Sequence, residues 1–276
     1  MESHLRWGVP RATPVRTAPG RSATSRALSA LDAFDSGHPV LTLSQIARRA
    51  GLPVATAHRL VAELCAARLL ARRPDGAYEV GARMWRLGLL APPTRLRETA
   101  LPFLQDLVLA TGHTAHLAVL DGPHALVVER FAGSRTQPTR HSPGARLPLH
   151  CTAVGKVLLA HATTALQDEA LRRPARHTPW TVTDVAALRR QLAVIRRAGV
   201  ASSAQEHREG VSSLAVPVHG SSGVVAALGI LAPLTSPRLT GTVGPLHAAA
   251  AAAGAALVHA DLENAVDPEP GADAGV

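Results

Sequence analysis

Apolar side chains recur at helical spacing through the first 67 residues and predict three short helices. The first begins near Ser22 and ends at Asp35-Ser36-Gly37. The second covers residues 43–50 after Thr42, whose side chain can accept a hydrogen bond from the first turn. The third covers residues 54–67 and carries a buried stripe. That stripe consists of Ala57, Leu60, Val61 and Leu64.

A hairpin is predicted directly after the third helix. Two apolar runs, at residues 69–72 and 77–80, flank Arg73-Pro74-Asp75-Gly76, in which Asp-Gly is a strong signal for a tight turn. Another turn, at residues 51–53, precedes the third helix, and Gly51 can adopt the positive φ required where the second helix stops. This order predicts a winged helix-turn-helix, which offers its third helix to the major groove of DNA.

The pattern changes after residue 80. A helix is predicted over residues 81–90, and Pro92-Pro93 interrupts the chain. The later predicted helices cover residues 98–111, 153–162, 188–198 and 241–263, and the strands cover residues 116–120, 125–131, 213–218 and 224–232. Helices mixed with strands joined as hairpins indicate an α+β fold class with an antiparallel sheet.

These elements divide the chain into five parts. We expect a disordered basic arm at residues 1–22, a winged helix-turn-helix at residues 23–80 and a linker helix at residues 81–97. A second domain follows at residues 98–263, and a loose acidic tail at residues 264–276. The arm either contacts DNA or has no role, and its composition does not decide between the two.

Charge separates the two halves of the chain. The formal net charge is +9, and residues 1–100 hold 15 Arg against 7 Asp and Glu, whereas the remainder is nearly neutral. This asymmetry predicts a polyanion as the partner of the N-terminal part. Codon bias is the alternative, because the chain has 28 Arg and one Lys, Lys156. Such bias explains the choice of Arg over Lys but not the position of the surplus.

The sequence gives no reason to expect an oxidised or membrane-bound protein. Cys65 and Cys151 lie far apart, which argues against a disulfide framework and for a reducing cytosol. The run at residues 247–260 is mostly Ala and is predicted to be too short and too weakly apolar to cross a bilayer. The basic N-terminus has no apolar segment of a secretory signal. We therefore expect a cytoplasmic protein with no membrane partner.

The third helix and the hairpin supply the candidate DNA contacts. Residues at the start of the third helix should face outward, and Arg59 is the best candidate for a phosphate or guanine contact. Thr56 can donate to a phosphate or touch a thymine methyl group. The predicted DNA-binding residues are Ser44, Val54, Thr56, His58, Arg59, Arg72 and Arg73.

Several segments together resemble the isocitrate lyase regulator (IclR) family. The most specific are LTLSQIARRAGLP at residues 41–53 and RLPLHCTAVGKVLLA at residues 146–160. The other matching segments are residues 25–34, 56–60, 78–81, 210–217 and 223–227, together with Glu206. They occur in the family's order over about residues 24–262. The resemblance implies a winged helix, a dimerising linker helix, a GAF-like domain that binds a small effector, and dimers or tetramers on partly palindromic operators.

The resemblance also implies where an effector binds. The positions that match the family's ligand contacts are Ala153, Val154, Ser203, Ser213, Gly229 and Leu231. Members that bind small oxo-acids tend to carry an acid at the position of Ser203 and hydroxyls at those of Gly229 and Leu231. Because this lining has lost several polar groups, we expect an effector that is larger or more apolar than a simple oxo-acid.

The sequence gives little support for an enzymatic, cofactor-binding or metal-binding site. G-x-S-x-G, Walker and dinucleotide glycine motifs are absent, and we expect neither an enzyme nor a cofactor. His113 and His116 have no Glu or Cys nearby at metal spacing, so we predict no metal site. Lys156 is either a Schiff-base nucleophile or a structural residue that caps a helix or pairs with a carboxylate.

The prediction is a ligand-responsive transcriptional regulator, a repressor of a metabolic operon that binds double-stranded operator DNA as a homodimer or tetramer. One alternative is a hydrolase that uses Ser212 or Ser213 and carries an accessory DNA-binding module. Another is a winged helix that binds protein instead of DNA. Binding of the protein to the DNA upstream of its own gene would distinguish a DNA-binding regulator from a winged helix that binds protein.

Overall fold

The computed structural model describes residues 22–134, 142–236 and 239–266, the side chains of the last three excepted. The chain divides into two units, which meet in sequence at Leu90 and Ala91. The predicted basic arm lies outside the described residues except for Ser22, and the predicted tail does so beyond Val266.

The first unit combines helices with a small sheet. Its helices are α1 (Ala23–Leu31), α2 (Leu43–Ala50), α3 (Val54–Ala66) and α4 (Ala82–Leu89), and its strands are β1 (Val40–Leu41), β2 (Leu70–Arg72) and β3 (Tyr78–Val80). The strands pair antiparallel in the order β1-β3-β2. Ile46 of α2, Val61 of α3 and Leu70 of β2 are buried in one core with Leu41. This is the predicted winged helix-turn-helix.

The turn between α2 and α3 has a clear physical basis. Thr42 and Gln45 form a reciprocal capping box that fixes the start of α2. Gly51 ends α2 with φ of +66°, in the left-handed region that favours glycine. Helix α1 ends at Leu31, three residues before the predicted end, and Asp35 then forms a local turn by accepting the N–H of Gly37.

The second unit is a six-stranded antiparallel sheet between two layers of helices. The strands are β4 (Thr114–Asp121), β5 (His124–Phe131), β6 (Arg146–Pro148), β7 (Ala201–Ala204), β8 (Val211–Gly220) and β9 (Gly223–Pro233), in the order β6-β5-β4-β9-β8-β7. The helices are α5 (Pro92–Thr111), α6 (Ala153–His161), α7 (Thr164–Ala170), α8 (Val185–Ala198) and α9 (Val243–Val266). Helices α6 and α8 pack on one face of the sheet, and α5 and α9 pack on the other. The α+β fold class is confirmed.

Helix α5 begins earlier than predicted. The sequence suggested a break at Pro92-Pro93 and a helix from residue 98, whereas Pro92 is the first residue of α5. Proline suits this position because the first helical residues need no N–H partner and its fixed φ is already helical. The same helix accommodates Pro102 in its interior and ends at Gly112, whose φ is +70°.

Helix α9 also differs from expectation in its capacity to cross a membrane. Of the described residues, one stretch, Thr240–Glu263, is long and apolar enough to cross a membrane by these two measures alone. This differs from the prediction that the run at residues 247–260 is too short and too weakly apolar to do so. In the fold Leu246, Ala250, Ala253 and Leu257 are buried in the core against the sheet.

Candidate DNA-binding surface and effector cavity

Helix α3 presents one exposed face that begins at its N-terminus. Its opposite face, with Ala57 and Leu60, is buried in the core of the first unit. Val54 is 54% exposed, His58 is exposed, and the side chain of Arg59 is 63% exposed, whereas Thr56 is half-buried. Arg59 lies 3.3 Å from Glu63 one turn later, an exposed pair of little energetic weight.

The start of α3 is open to an anion. Its N-cap residue is Pro53, which makes no side-chain capping hydrogen bond. The first backbone N–H groups of the helix therefore have neither an intrahelical partner nor a side-chain cap, and the helix dipole adds positive potential there. A phosphate oxygen fits such a position. Ser44, in the first turn of α2, is also exposed.

The hairpin of β2 and β3 places its two arginines in different surroundings. Arg73 Nη1 lies 2.9 Å from Glu79 Oε2, and its Nε lies 3.4 Å from Asp75 Oδ2. These hydrogen bonds, the one to Glu79 first, raise the pKa of Arg73. Arg72 is exposed, and its guanidinium carbon lies 6.0 Å from the ring centre of Tyr78. The charge of Arg73 is thus compensated on the hairpin.

Another arginine of the first unit has a structural position that the sequence did not reveal. Arg49, at the end of α2, donates from Nε to the carbonyl of Ala33 and pairs with Asp35. It is half-buried and fixes the segment after α1 against α2. Positive charge alone therefore does not mark a DNA contact in this unit.

The second unit contains a cavity between the sheet and the start of α6, hereafter the effector cavity. The lining residues are His116, Arg130, Leu147, Thr152, Ala153, Ser203, His207, Arg208, Val211, Ser213 and Leu231. The space in the cavity that the centre of a water molecule can reach has a volume of about 40 Å³. Most of the wall is carbon, and the polar groups are distributed around it.

Four of the six predicted effector residues lie together on this wall. They are Ala153, Ser203, Ser213 and Leu231. The other two pack behind it: a Cβ atom added at Gly229 would lie 2.8 Å from Val154 Cγ1 and 2.9 Å from His116 Cε1. The Ser203 hydroxyl donates to the carbonyl of Cys151 at 2.8 Å.

Two arginines and two histidines of the wall escaped sequence reasoning. Arg130 lies on β5, His116 lies on β4, and His207 and Arg208 lie in the loop between β7 and β8. Their segments are remote in sequence from α6, and only the paired sheet brings them to one cavity. The lining therefore combines an apolar wall with cationic groups, which the six predicted positions alone did not indicate.

The start of α6 is held rigidly against this cavity. Thr152 caps the helix by accepting the N–H of Gly155 at 3.2 Å. Gly155 is required there because a Cβ atom would lie 2.7 Å from the Leu149 carbonyl oxygen. Lys156 is 2% exposed, and its Nζ lies 2.5 Å from Glu206 Oε1. Of the possibilities left open by the sequence, Lys156 adopts the structural pair with a carboxylate.

A cluster of histidine and cysteine lies beside the effector cavity, although the sequence predicted no metal site. The ligand atoms of His150, Cys151 and His177 all lie within 4.8 Å of one another. Burial raises the pKa of the Cys151 thiol to about 12 and lowers the pKa of His150. His177 is exposed as a whole residue, but the neighbouring groups remove enough water from its ring to lower its pKa as well. His177 lies 26 positions after Cys151, so no short spacing announced the cluster.

Comparison with known proteins agrees with both units. Residues 92–257 match the family described as bacterial transcriptional regulator IclR C-terminal, and residues 23–74 match the IclR helix-turn-helix domain. The transcriptional regulator XynR of Escherichia coli is 33% identical over 219 residues, which cover 78% of this chain and 86% of that protein. BhcR of Paracoccus denitrificans is 37% identical over 215 residues, which cover 75% of this chain and 76% of that protein.

A solved structure extends the similarity to the fold. An IclR homolog from Microbacterium hydrocarbonoxydans, complexed with 4-hydroxybenzoate, matches with a TM-score of 0.80 and 34% identity. The match covers 87% of this chain and 100% of that chain. The chain therefore belongs to the IclR family of bacterial transcriptional regulators and is a ligand-responsive DNA-binding regulator.

Proposed function

We propose that this regulator represses a metabolic operon by binding partly palindromic operator DNA as a dimer or as a pair of dimers. A small carboxylate in the effector cavity controls that binding. The observation that carries the proposal is the exposed face of α3, where His58 and Arg59 project from the second turn of a helix whose N-cap residue makes no side-chain hydrogen bond. The surplus of positive charge lies in the same part of the chain.

The proposed contacts fall into two groups. Arg59 and His58 of α3 are assigned to base edges, with Val54 and Thr56 packing beside them in the major groove. Ser44 of α2 is assigned to the phosphate backbone. On the hairpin, Arg72 is the principal phosphate contact, and Arg73 contributes less because Glu79 and Asp75 already balance its charge.

Helix α4 supports self-association. Its apolar side chains and the residue after it remain strongly exposed. These residues are Trp85 at 70%, Leu87 at 51%, Leu89 at 45% and Leu90 at 82%. Trp85 and Leu89 lie one turn apart on the same face of α4, and exposed apolar side chains grouped in this way mark interaction sites. Pairing two copies through α4 would present two α3 helices to the two half-sites of a palindromic operator.

The effector cavity supports an anionic ligand with an apolar body. Arg130 and Arg208 line it together with Leu147, Val211 and Leu231. Arginine binds a carboxylate through parallel charge-assisted hydrogen bonds, and the carbon wall suits a ring or chain. The homolog from Microbacterium hydrocarbonoxydans holds 4-hydroxybenzoate, a molecule of this class. Such a ligand is larger than a simple oxo-acid.

We further infer that the chain is not an enzyme and that it acts in the cytoplasm, as its membership of a family of transcriptional regulators implies. A panel of ester and amide substrates tests the first part. Turnover that Ser213→Ala or Ser212→Ala abolishes would overturn it in favour of a hydrolase.

The direct test of DNA reading is Arg59→Ala. We expect affinity for the protein's own upstream DNA to fall roughly 5- to 150-fold, corresponding to about 1–3 kcal/mol for a lost bidentate contact to guanine. Fluorescence anisotropy at several salt concentrations measures both the affinity and its salt dependence. Arg189→Ala, an exposed change in the second unit, is the matched control. Unchanged affinity in Arg59→Ala would remove this residue from the reading surface.

A further inference from the structure

We propose that His150, Cys151 and His177 bind a divalent transition-metal ion beside the effector cavity, and that Zn²⁺ suits them best. Imidazole nitrogen and thiolate sulfur are the preferred ligands of zinc in proteins. The three ligand atoms converge within 4.8 Å of one another from two separate segments of the fold. One segment precedes α6, and the other is the connection between α7 and α8.

The geometry needs only a small contraction. Zinc bonds of about 2.0–2.3 Å in a tetrahedron place neighbouring ligand atoms about 3.3–3.8 Å apart. His150 and Cys151 are buried and fixed by the start of α6, whereas His177 is exposed on a connecting segment. The imidazole of His177 can therefore move by the required distance without disturbing the core.

His150 already has the outer contact typical of a metal ligand. Its Nε2 lies 2.9 Å from the carbonyl oxygen of Ala175 and donates to it. That hydrogen bond fixes the ring and leaves Nδ1 with the lone pair that a metal requires. Ala175 belongs to the same connection as His177, so the contact also holds the two ligand segments together.

His207 lies next to the three converging ligands. Its Nδ1 lies 4.0 Å from Cys151 Sγ, and its ring centre lies 5.1 Å from that of His177. It comes from a third segment, the loop between β7 and β8. The fourth position of a tetrahedral site would be filled by a water molecule or, after a shift of its loop, by His207.

Metal binding would replace the proton of the Cys151 thiol with a bond from sulfur to the metal. The Cys151 thiol releases its proton to solvent as sulfur bonds to the metal, and the neutral imidazoles contribute lone pairs without a change of charge. The metal would then fix Thr152 and Ala153, which follow the cluster in sequence, as well as His207. All three line the effector cavity, so the bound ion would stabilise the shape of its wall.

Direct metal titration tests the proposal. The full chain, freed of metal by a chelator, is titrated with Co²⁺ and then with Zn²⁺ in competition with a chromophoric chelator. We expect one ion per chain and a thiolate-to-cobalt charge-transfer band that Zn²⁺ displaces. Cys151→Ser should abolish the band, and His177→Ala should weaken Zn²⁺ binding at least tenfold.

The controls separate a site from adventitious binding. Cys65→Ser changes the other cysteine, and His259→Ala changes a histidine that is 75% exposed on α9. Both should retain wild-type affinity. His177 is exposed, so His177→Ala should melt like the wild type even if the buried Cys151→Ser does not fold. A missing charge-transfer band, or equal Zn²⁺ affinity in the wild type and His177→Ala, would overturn the site.

Discussion

Lys156 shows how one residue connects the core of the second unit with its cavity. Lys156 belongs to α6, and its ammonium group is buried. Glu206 Oε1 lies 2.5 Å from this group, and the Ser202 carbonyl oxygen lies 3.4 Å from it. Glu206 precedes the cavity residues His207 and Arg208. An isolated buried charge is costly, so each member of the pair depends on the other.

The pair predicts a strong and asymmetric response to substitution. Lys156→Met should lower the free energy of unfolding by about 3–5 kcal/mol, because it leaves the Glu206 carboxylate buried without its cation. The double variant Lys156→Met/Glu206→Leu should recover most of that loss. Chemical denaturation followed by tryptophan fluorescence measures both, in a background with Trp7→Phe and Trp85→Phe that leaves only Trp180, in the second unit, to report. A double variant as unstable as the single one would contradict the account.

His161 should make the stability of the second unit fall as the pH falls. Burial lowers the pKa of His161, and nearby His219 and Arg196 act in the same direction. A folded pKa below the ordinary value of about 6.5 means that the neutral form stabilises the fold. This contribution is complete above pH ~6.5 and is lost as the pH falls through that value towards the lower folded pKa.

The Tm of the wild type should therefore fall more steeply between about pH 7 and pH 5 than that of His161→Gln, whose side chain does not titrate. Thermal unfolding in buffers of constant ionic strength gives the comparison. Parallel pH profiles for the two proteins would show that His161 does not couple protonation to stability.

At the scale of elements, the hairpin of β2 and β3 separates charge that is available to DNA from charge that is already paired. Each phosphate contact contributes about 0.9 to the slope of log affinity against log salt concentration. Arg72→Ala should therefore flatten this slope by about 0.9. The charge-balanced double variant Arg73→Ala/Glu79→Gln should leave it unchanged, because the two groups neutralise each other.

Titration of labelled operator DNA at four or more salt concentrations measures these slopes. A double variant that flattens the slope as much as Arg72→Ala does would mean that Arg73, despite its two carboxylate partners, contacts phosphate.

Elements with strong local signals were predictable from sequence, and those that depend on distant partners were not. Helix α2 has its observed bounds in the prediction, because Thr42 and Gly51 define both ends by local chemistry. Strands β6 and β7 were not predicted. They have only three and four residues, and such short edge strands are stabilised by pairing with the neighbouring strand, which the local sequence does not show. Helix α5 was shortened in the prediction because Pro92 was interpreted as a break.

The same distinction applies to the functional sites. The exposed residues of α3 follow from the helical period around Leu60, so His58 and Arg59 could be selected from sequence. The cavity arginines, Arg130 and Arg208, could not, because they meet across strands far apart in the chain. The cluster around Cys151 eluded sequence analysis for the same reason.

At the scale of the whole molecule, the two units divide the work of a regulator. The first carries the surplus of positive charge and the exposed helix α3, and the second carries the effector cavity. A ligand can control DNA binding only if its affinity differs between the DNA-bound and free states. This coupling free energy is the quantity on which the account depends.

The most direct measurement is operator affinity with and without a bound carboxylate. A thermal-shift screen that includes 4-hydroxybenzoate selects the ligand, and anisotropy of labelled upstream DNA then gives the affinity. We predict a change of about 5- to 150-fold in the wild type and in Arg189→Ala, and a loss of the response in Arg208→Ala with its DNA affinity retained. Equal operator affinity with and without a ligand that demonstrably binds the wild type would contradict the account.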